Sequence, residues 1–294
     1  MKTSIAKKVQ VDSIMITVLL LSFLLFFFLL LNACGMLLGD EETHLKYLNI
    51  YSREPMAVIS PLQNMIFRII GFVIGVAAIF YFISLLTAEA VRSRGHYFFL
   101  EWAVYISIVG LSLFGGLLRS IGNQLGAANI YFFTIFLYLT LLFLIKKYGK
   151  ELKFTLKGFY LLPIYFILFY TMGLPGWAKL FGDSKVIEKY ETMFAGSFLS
   201  NLPGGTAVMI YLLGVLELSI PILLLISLIK GEFKPGRNKF WMKISLVITC
   251  LTFMMLCFGL TIIFNFAGAT NLLFYFIFTF LILVSISYDW CFHS

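Results

Sequence analysis

Glu217 lies in Leu213-Gly-Val-Leu-Glu-Leu-Ser-Ile-Pro221, near the middle of a long apolar run. A carboxylate at bilayer mid-depth costs about 2.5 to 3.5 kcal/mol on the most lenient insertion scale, so it needs a partner, a cavity or a proton. The chemistry such a group offers is proton uptake, which makes Glu217 the candidate catalytic proton acceptor; packing as a neutral, hydrogen-bonded side chain is the alternative. Pro221, four residues on, opposes the Glu217 carbonyl and weakens the helix where a ligand or water would enter.

Two cations compete to answer that carboxylate. Lys179 sits in Gly173-Leu-Pro-Gly-Trp-Ala-Lys179-Leu-Phe-Gly182-Asp183, and a long side chain there turns either toward Glu217 or out to lipid phosphates. Glu217 lies 11 residues beyond Thr206, about 16 Å along a helix, so a direct contact requires staggered or kinked helices. Arg68, seven residues past Pro61, reaches a depth of about 10 Å on the same side and offers a structural clamp instead. Both pairings stand open on sequence alone. Trp177, Asp183 and Arg68 form the candidate ligand-binding set around Glu217 and Lys179, with Trp177 at headgroup depth.

Other chemistry is poorly represented. Cys34, Cys250, Cys257 and Cys291 form no CxxC, and His44, His96 and His293 are scattered. Nothing has the spacing of a metal, haem or iron-sulfur site, so no metal and no cofactor motif is expected. No GxxxxGK[ST] or GxGxxG provides a nucleotide anchor. The net charge of +8 punctuates apolar runs rather than forming a patch, which argues against nucleic acid.

The elements that must position these residues are membrane helices. Of the 294 residues, 61% are hydrophobic and 12% charged, against roughly half and a quarter in soluble domains, which excludes a soluble enzyme. Runs of about 20 apolar residues span a bilayer. Eight are predicted: Ser13 to Leu38, Pro61 to Leu86, Phe98 to Leu118, Ile130 to Ile145, Gly158 to Leu180, Thr206 to Ile229, Ile244 to Phe264 and Leu272 to Tyr288. The first resembles a lipoprotein signal only faintly at Leu31-Asn32-Ala33-Cys34 and is too long for one, so it reads as an uncleaved helix. The amino terminus and the even-numbered loops hold 15 Lys and Arg, the other loops six. That asymmetry predicts a multi-pass protein of a bacterial cytoplasmic (inner) membrane with both termini cytoplasmic.

The chain also repeats itself. Residues 122–136 and 264–278 match at an offset of 142 through Asn123/Asn265, Gly126/Gly268, Ala127/Ala269 and Asn129/Asn271. At an offset of 143, Gly39-Asp40 matches Gly182-Asp183, Lys46-Tyr47 matches Lys189-Tyr190, and Gly71 matches Gly214. The fold class expected is therefore all-α integral membrane, eight transmembrane helices as two tandem parallel four-helix bundles, over 1–150 and 151–294. In that register Glu217 corresponds to Ile74 and Lys179 to Met36, so only the second unit keeps charges. The paired asparagines read as helix caps, and Gly71-xxx-Gly75 as a packing face.

The segment from about 158 to 288 resembles the DoxX-like family of four-helix membrane proteins. The resemblance rests on Gly176-xx-Lys179-Leu-Phe-Gly182, on Leu202-Pro203, and on Glu217 within Leu-Glu-Leu. It implies a redox-associated membrane subunit, since the family includes the membrane subunit of a thiosulfate:quinone oxidoreductase and partners of redox enzymes. Its ligand would be quinone-like or otherwise lipophilic, held in a Lys179/Glu217 cleft, and its partners the lipid bilayer and a redox protein. Two other readings stand beside it: a proton-coupled small-solute carrier, and a scaffold for a partner protein without chemistry of its own. Whether the chain is itself an enzyme stays open.

Overall fold

The computed structural model describes residues 13–40, 42–44, 61–89, 97–148, 159–201, 203–234 and 236–287. The Lys46-Tyr47 match, Leu202, His96, His293 and Cys291 lie outside them. Among the described residues there is no strand; the chain forms helices α1 (Ser13–Leu38), α2 (Pro61–Leu86), α3 (Phe98–Ser120), α4 (Gln124–Tyr148), α5 (Leu162–Phe181), α6 (Ser184–Phe194), α7 (Gly205–Ile229), α8 (Phe240–Ile262) and α9 (Phe266–Ser287). All but α6 are long and apolar enough to cross a membrane, which makes eight spans. Large apolar side chains such as Leu24, Phe72 and Phe258 cover the outside, a surface that only a bilayer solvates well.

Helix ends extend beyond the apolar runs because polar first turns are helical too. α4 starts at Gln124 and α9 at Phe266, each several residues ahead of the predicted span. The asparagine caps explain both starts: Asn123 Oδ1 accepts from Gly126 N at 2.8 Å and Asn265 Oδ1 from Gly268 N at 3.0 Å. The residue before each asparagine has a left-handed backbone, Gly122 at φ 83° and Phe264 at φ 57°. The same turn is thus built twice, once with the glycine that suits it and once with a phenylalanine that does not.

A second pair of matching devices went unread in the sequence. Buried Glu89 accepts from Phe99 N and Leu100 N at 3.1 and 2.9 Å, at the start of α3. Buried Glu232 accepts from Trp241 N and Met242 N at 3.1 and 2.9 Å, at the start of α8. Each carboxylate satisfies amide donors that a helix leaves unpaired in its first turn.

Neighbouring spans pack in sequence order within two groups: α1 on α2, α2 on α3, α3 on α4, and α5 on α7, α7 on α8, α8 on α9. Between the groups α3 meets α5 and α4 meets α9. This seam is aromatic. The Tyr131 and Tyr275 rings lie 4.7 Å apart, Tyr131 Oη bonds Thr279 Oγ1 at 2.7 Å, and the Tyr170 hydroxyl packs on Gly115.

Candidate functional site

α5 and α7 approach closely because glycines face the contact. A Cβ added at Gly176 would stand 2.7 Å from Leu218 N and 2.9 Å from Glu217 Cβ, and one added at Gly173 would meet Pro221 at 3.5 Å. One turn further along α5, Lys179 Cβ lies 3.0 Å from where a Cβ of Gly214 would be. The expected stagger is real: α7 runs nine residues from Gly205 to Gly214, about 14 Å, before it draws level with Lys179. The long connection through α6 spans that offset.

The stagger brings Lys179 Nζ to both oxygens of Glu217, at 2.6 Å to Oε1 and 2.5 Å to Oε2, with side chains 3% and 2% exposed. Of the two pairings open on sequence, the structure forms the lysine one. Tyr190, on α6, places its ring centroid 5.7 Å from Nζ and so covers the ammonium. Gly176→Ala is expected to push α5 off α7 at a cost of about 1 to 3 kcal/mol, the usual range for overpacking. Thermal unfolding in detergent measures it, and an unchanged midpoint would refute the close contact.

The pair borders a cavity of about 530 Å³, within the range of small-molecule sites. Thr171, Pro175 and Lys179 line it from α5, and Thr206, Ile210, Leu213 and Glu217 from α7. Those spacings of three and four residues place each set on one helix face. α6 closes a side with Tyr190 and Phe194, while Phe253 of α8 and Tyr275 of α9 complete the apolar wall. From α3, in the other group, comes Arg119.

All three candidate ligand-binding residues lie elsewhere. Trp177 is exposed, its ring tilted against Phe181 with centroids 4.6 Å apart. Asp183 is exposed and caps α6, accepting from Lys185 N at 3.3 Å. Arg68 is exposed on α2, on the same face as Met65, Ile69 and Phe72, and none of these three lines the cavity. The Arg68 clamp to Glu217 is therefore corrected. α2 packs on α1 and α3, and both Glu217 oxygens belong to Lys179. Conversely, Arg119 and Tyr190 were missed, because both lie beyond the predicted apolar runs, and nothing in those runs shows that α3 continues to Arg119 or that the segment after α5 forms helix α6 over the cavity.

In the first group the corresponding residues are apolar. Met36 and Ile74 are fully buried, and a Cβ added at Gly71 would stand 2.6 Å from Met36 Cβ, the relation that Gly214 has to Lys179. Among the described residues no cluster of metal-ligating side chains occurs. Cys250 is buried and Cys257 Sγ donates to the Ala269 carbonyl at 3.3 Å.

Fold and site together define a multi-pass, all-α membrane protein with a buried lysine-glutamate pair on the wall of an apolar cavity. No protein-family model, curated protein or solved structure matches the chain.

Proposed function

We propose that the chain binds a lipophilic ligand, its tail in the apolar cavity and its polar head against Lys179 and Glu217. The observation that carries this reading is the placement of a buried ion pair on that wall. Lys179 uses two of its three donors on Glu217, and each Glu217 oxygen accepts one bond from it, so both residues keep hydrogen-bonding capacity for a head group. The Met36 and Ile74 positions support the reading further, because the same helix contact packs there without charge.

The resemblance to the DoxX-like family makes a redox-associated subunit the favoured setting. A quinone-like ring is one head of the proposed kind: Lys179 donates to a carbonyl oxygen, and Glu217 passes one of the protons that accompany the electrons a redox partner protein delivers to the ring or withdraws from it. The excess of Lys and Arg on the even-numbered loops supports both termini lying in the cytoplasm.

Mass spectrometry of lipids extracted from protein purified in neutral detergent tests the reading. Wild type is expected to carry a lipophilic compound that the double variant Lys179→Met/Glu217→Ile loses at least about tenfold, the effect of one lost charge-assisted hydrogen bond. Equal retention by both proteins would remove Lys179 and Glu217 from the ligand site.

A further inference from the structure

The charges on the cavity wall do not cancel. Lys179 and Glu217 neutralise one another, and the remaining formal charge among the lining residues is Arg119. Arg119 is half-buried at the end of α3 and makes no ion pair or side-chain hydrogen bond among the described residues. It is not consumed by its own helix end either. Ile121 N, Asn123 N and Gly122 N already satisfy the carbonyls of Leu117, Leu118 and Arg119. Gln124 in the first turn of α4 and Gly268 in the first turn of α9 also line the cavity, so two positive helix ends share it with Arg119. Glu217 attracts Arg119 across the cavity, but both its oxygens are already bound to Lys179, so the lining keeps one net positive charge, which is costly beside an apolar enclosure unless an anion meets it.

We infer that the ligand of this cavity is an anionic amphiphile, a single acyl or alkyl chain ending in a carboxylate or phosphate that pairs with Arg119. The inference rests on the cavity being a lipophilic-ligand site and narrows its occupant. An uncharged head, including a quinone ring, satisfies the Lys179–Glu217 pair but leaves Arg119 unanswered. A carboxylate or phosphate takes the guanidinium bidentately, and α6 and the apolar wall surround the chain.

Isothermal titration of the full chain in neutral detergent, with palmitate, hexadecyl phosphate, hexadecanol and a decyl-substituted quinone, decides the matter. At least one anion is expected to bind about tenfold or more tightly than hexadecanol and the quinone, as charge-assisted pairing implies. The preferred anion then tells a carboxylate source from a phosphate one. Arg119→Gln should abolish the preference while leaving hexadecanol affinity unchanged, and Arg119→Lys should keep most of it. Because the side chain makes no hydrogen bond or ion pair that a substitution would break, Arg119→Lys should unfold at the wild-type temperature and Arg119→Gln no lower. Equal affinity for anion and alcohol overturns the inference, and so does a preference that survives Arg119→Gln, which would assign Arg119 to bulk headgroups. If the uncharged probes alone bind, the cavity reading stands and the anionic one falls. If none of the four binds, the cavity reading itself falls.

Discussion

Lys179→Met alone is expected to destabilise the protein by about 3 to 5 kcal/mol, and Lys179→Met combined with Glu217→Ile by far less. Removing the lysine leaves a carboxylate 2% exposed, with both oxygens stripped of their donor. Removing the glutamate strands an ammonium in the same place. Replacing both substitutes side chains that the protein already packs at Met36 and Ile74, over the same glycine contact. Exchanging a buried pair for apolar residues of similar volume is commonly neutral or stabilising, so stability does not account for the charges being there. A double-mutant cycle by thermal unfolding in neutral micelles reads the coupling. Two losses that simply add would show that the side chains do not compensate each other, and the buried bidentate pair would have to be abandoned.

The contrast between the two groups also shows how much of the site was written in the sequence. Glu217 announced itself, since one carboxylate in a long apolar run needs no tertiary information to stand out. Lys179 was legible as a candidate, but its partner was not. Choosing between it and Arg68 required the stagger of α5 and α7, which Gly173, Gly176 and Gly214 set through contacts that no periodicity reveals. Arg68 was misjudged because depth along a helix says nothing about which way the side chain faces, and the structure turns it outward with Met65 and Phe72. Trp177 and Asp183 were assigned by nearness in sequence to Lys179, yet a helix rotates Trp177 to the outside, and Asp183 lies past the helix end as a cap. The spans themselves read well because a bilayer demands a continuous apolar run. Their polar ends did not, because capping by Asn123 and Asn265 extends a helix past its apolar stretch.

Glu232→Ala is expected to cost at least about 3 kcal/mol, and Glu89→Ala clearly less, although both carboxylates cap the next span. Glu232 accepts from Trp241 N and Met242 N and also from Ser227 Oγ at 2.6 Å, and Ser227 Oγ bonds Tyr165 Oη at 2.6 Å. Each buried donor left without an acceptor costs about 1 to 3 kcal/mol, and here water cannot take over, because Ser227, Tyr165 and Glu232 are all buried. Among the described residues Glu89 holds its two amides without such a chain: the residue matching Tyr165 is Ser22, whose hydroxyl turns back to the Val18 carbonyl at 2.7 Å. The Tyr165-Ser227-Glu232 relay therefore ties α5, α7 and α8 together near the far ends of the helices that line the cavity. The relay pins α5, α7 and α8 to one another at the end away from α6. Glu232→Gln, which keeps one carbonyl oxygen as acceptor, should recover part of the loss in thermal unfolding. An alanine variant within about 0.5 kcal/mol of wild type, the range of ordinary surface changes, would mean that the relay does not hold the helices together.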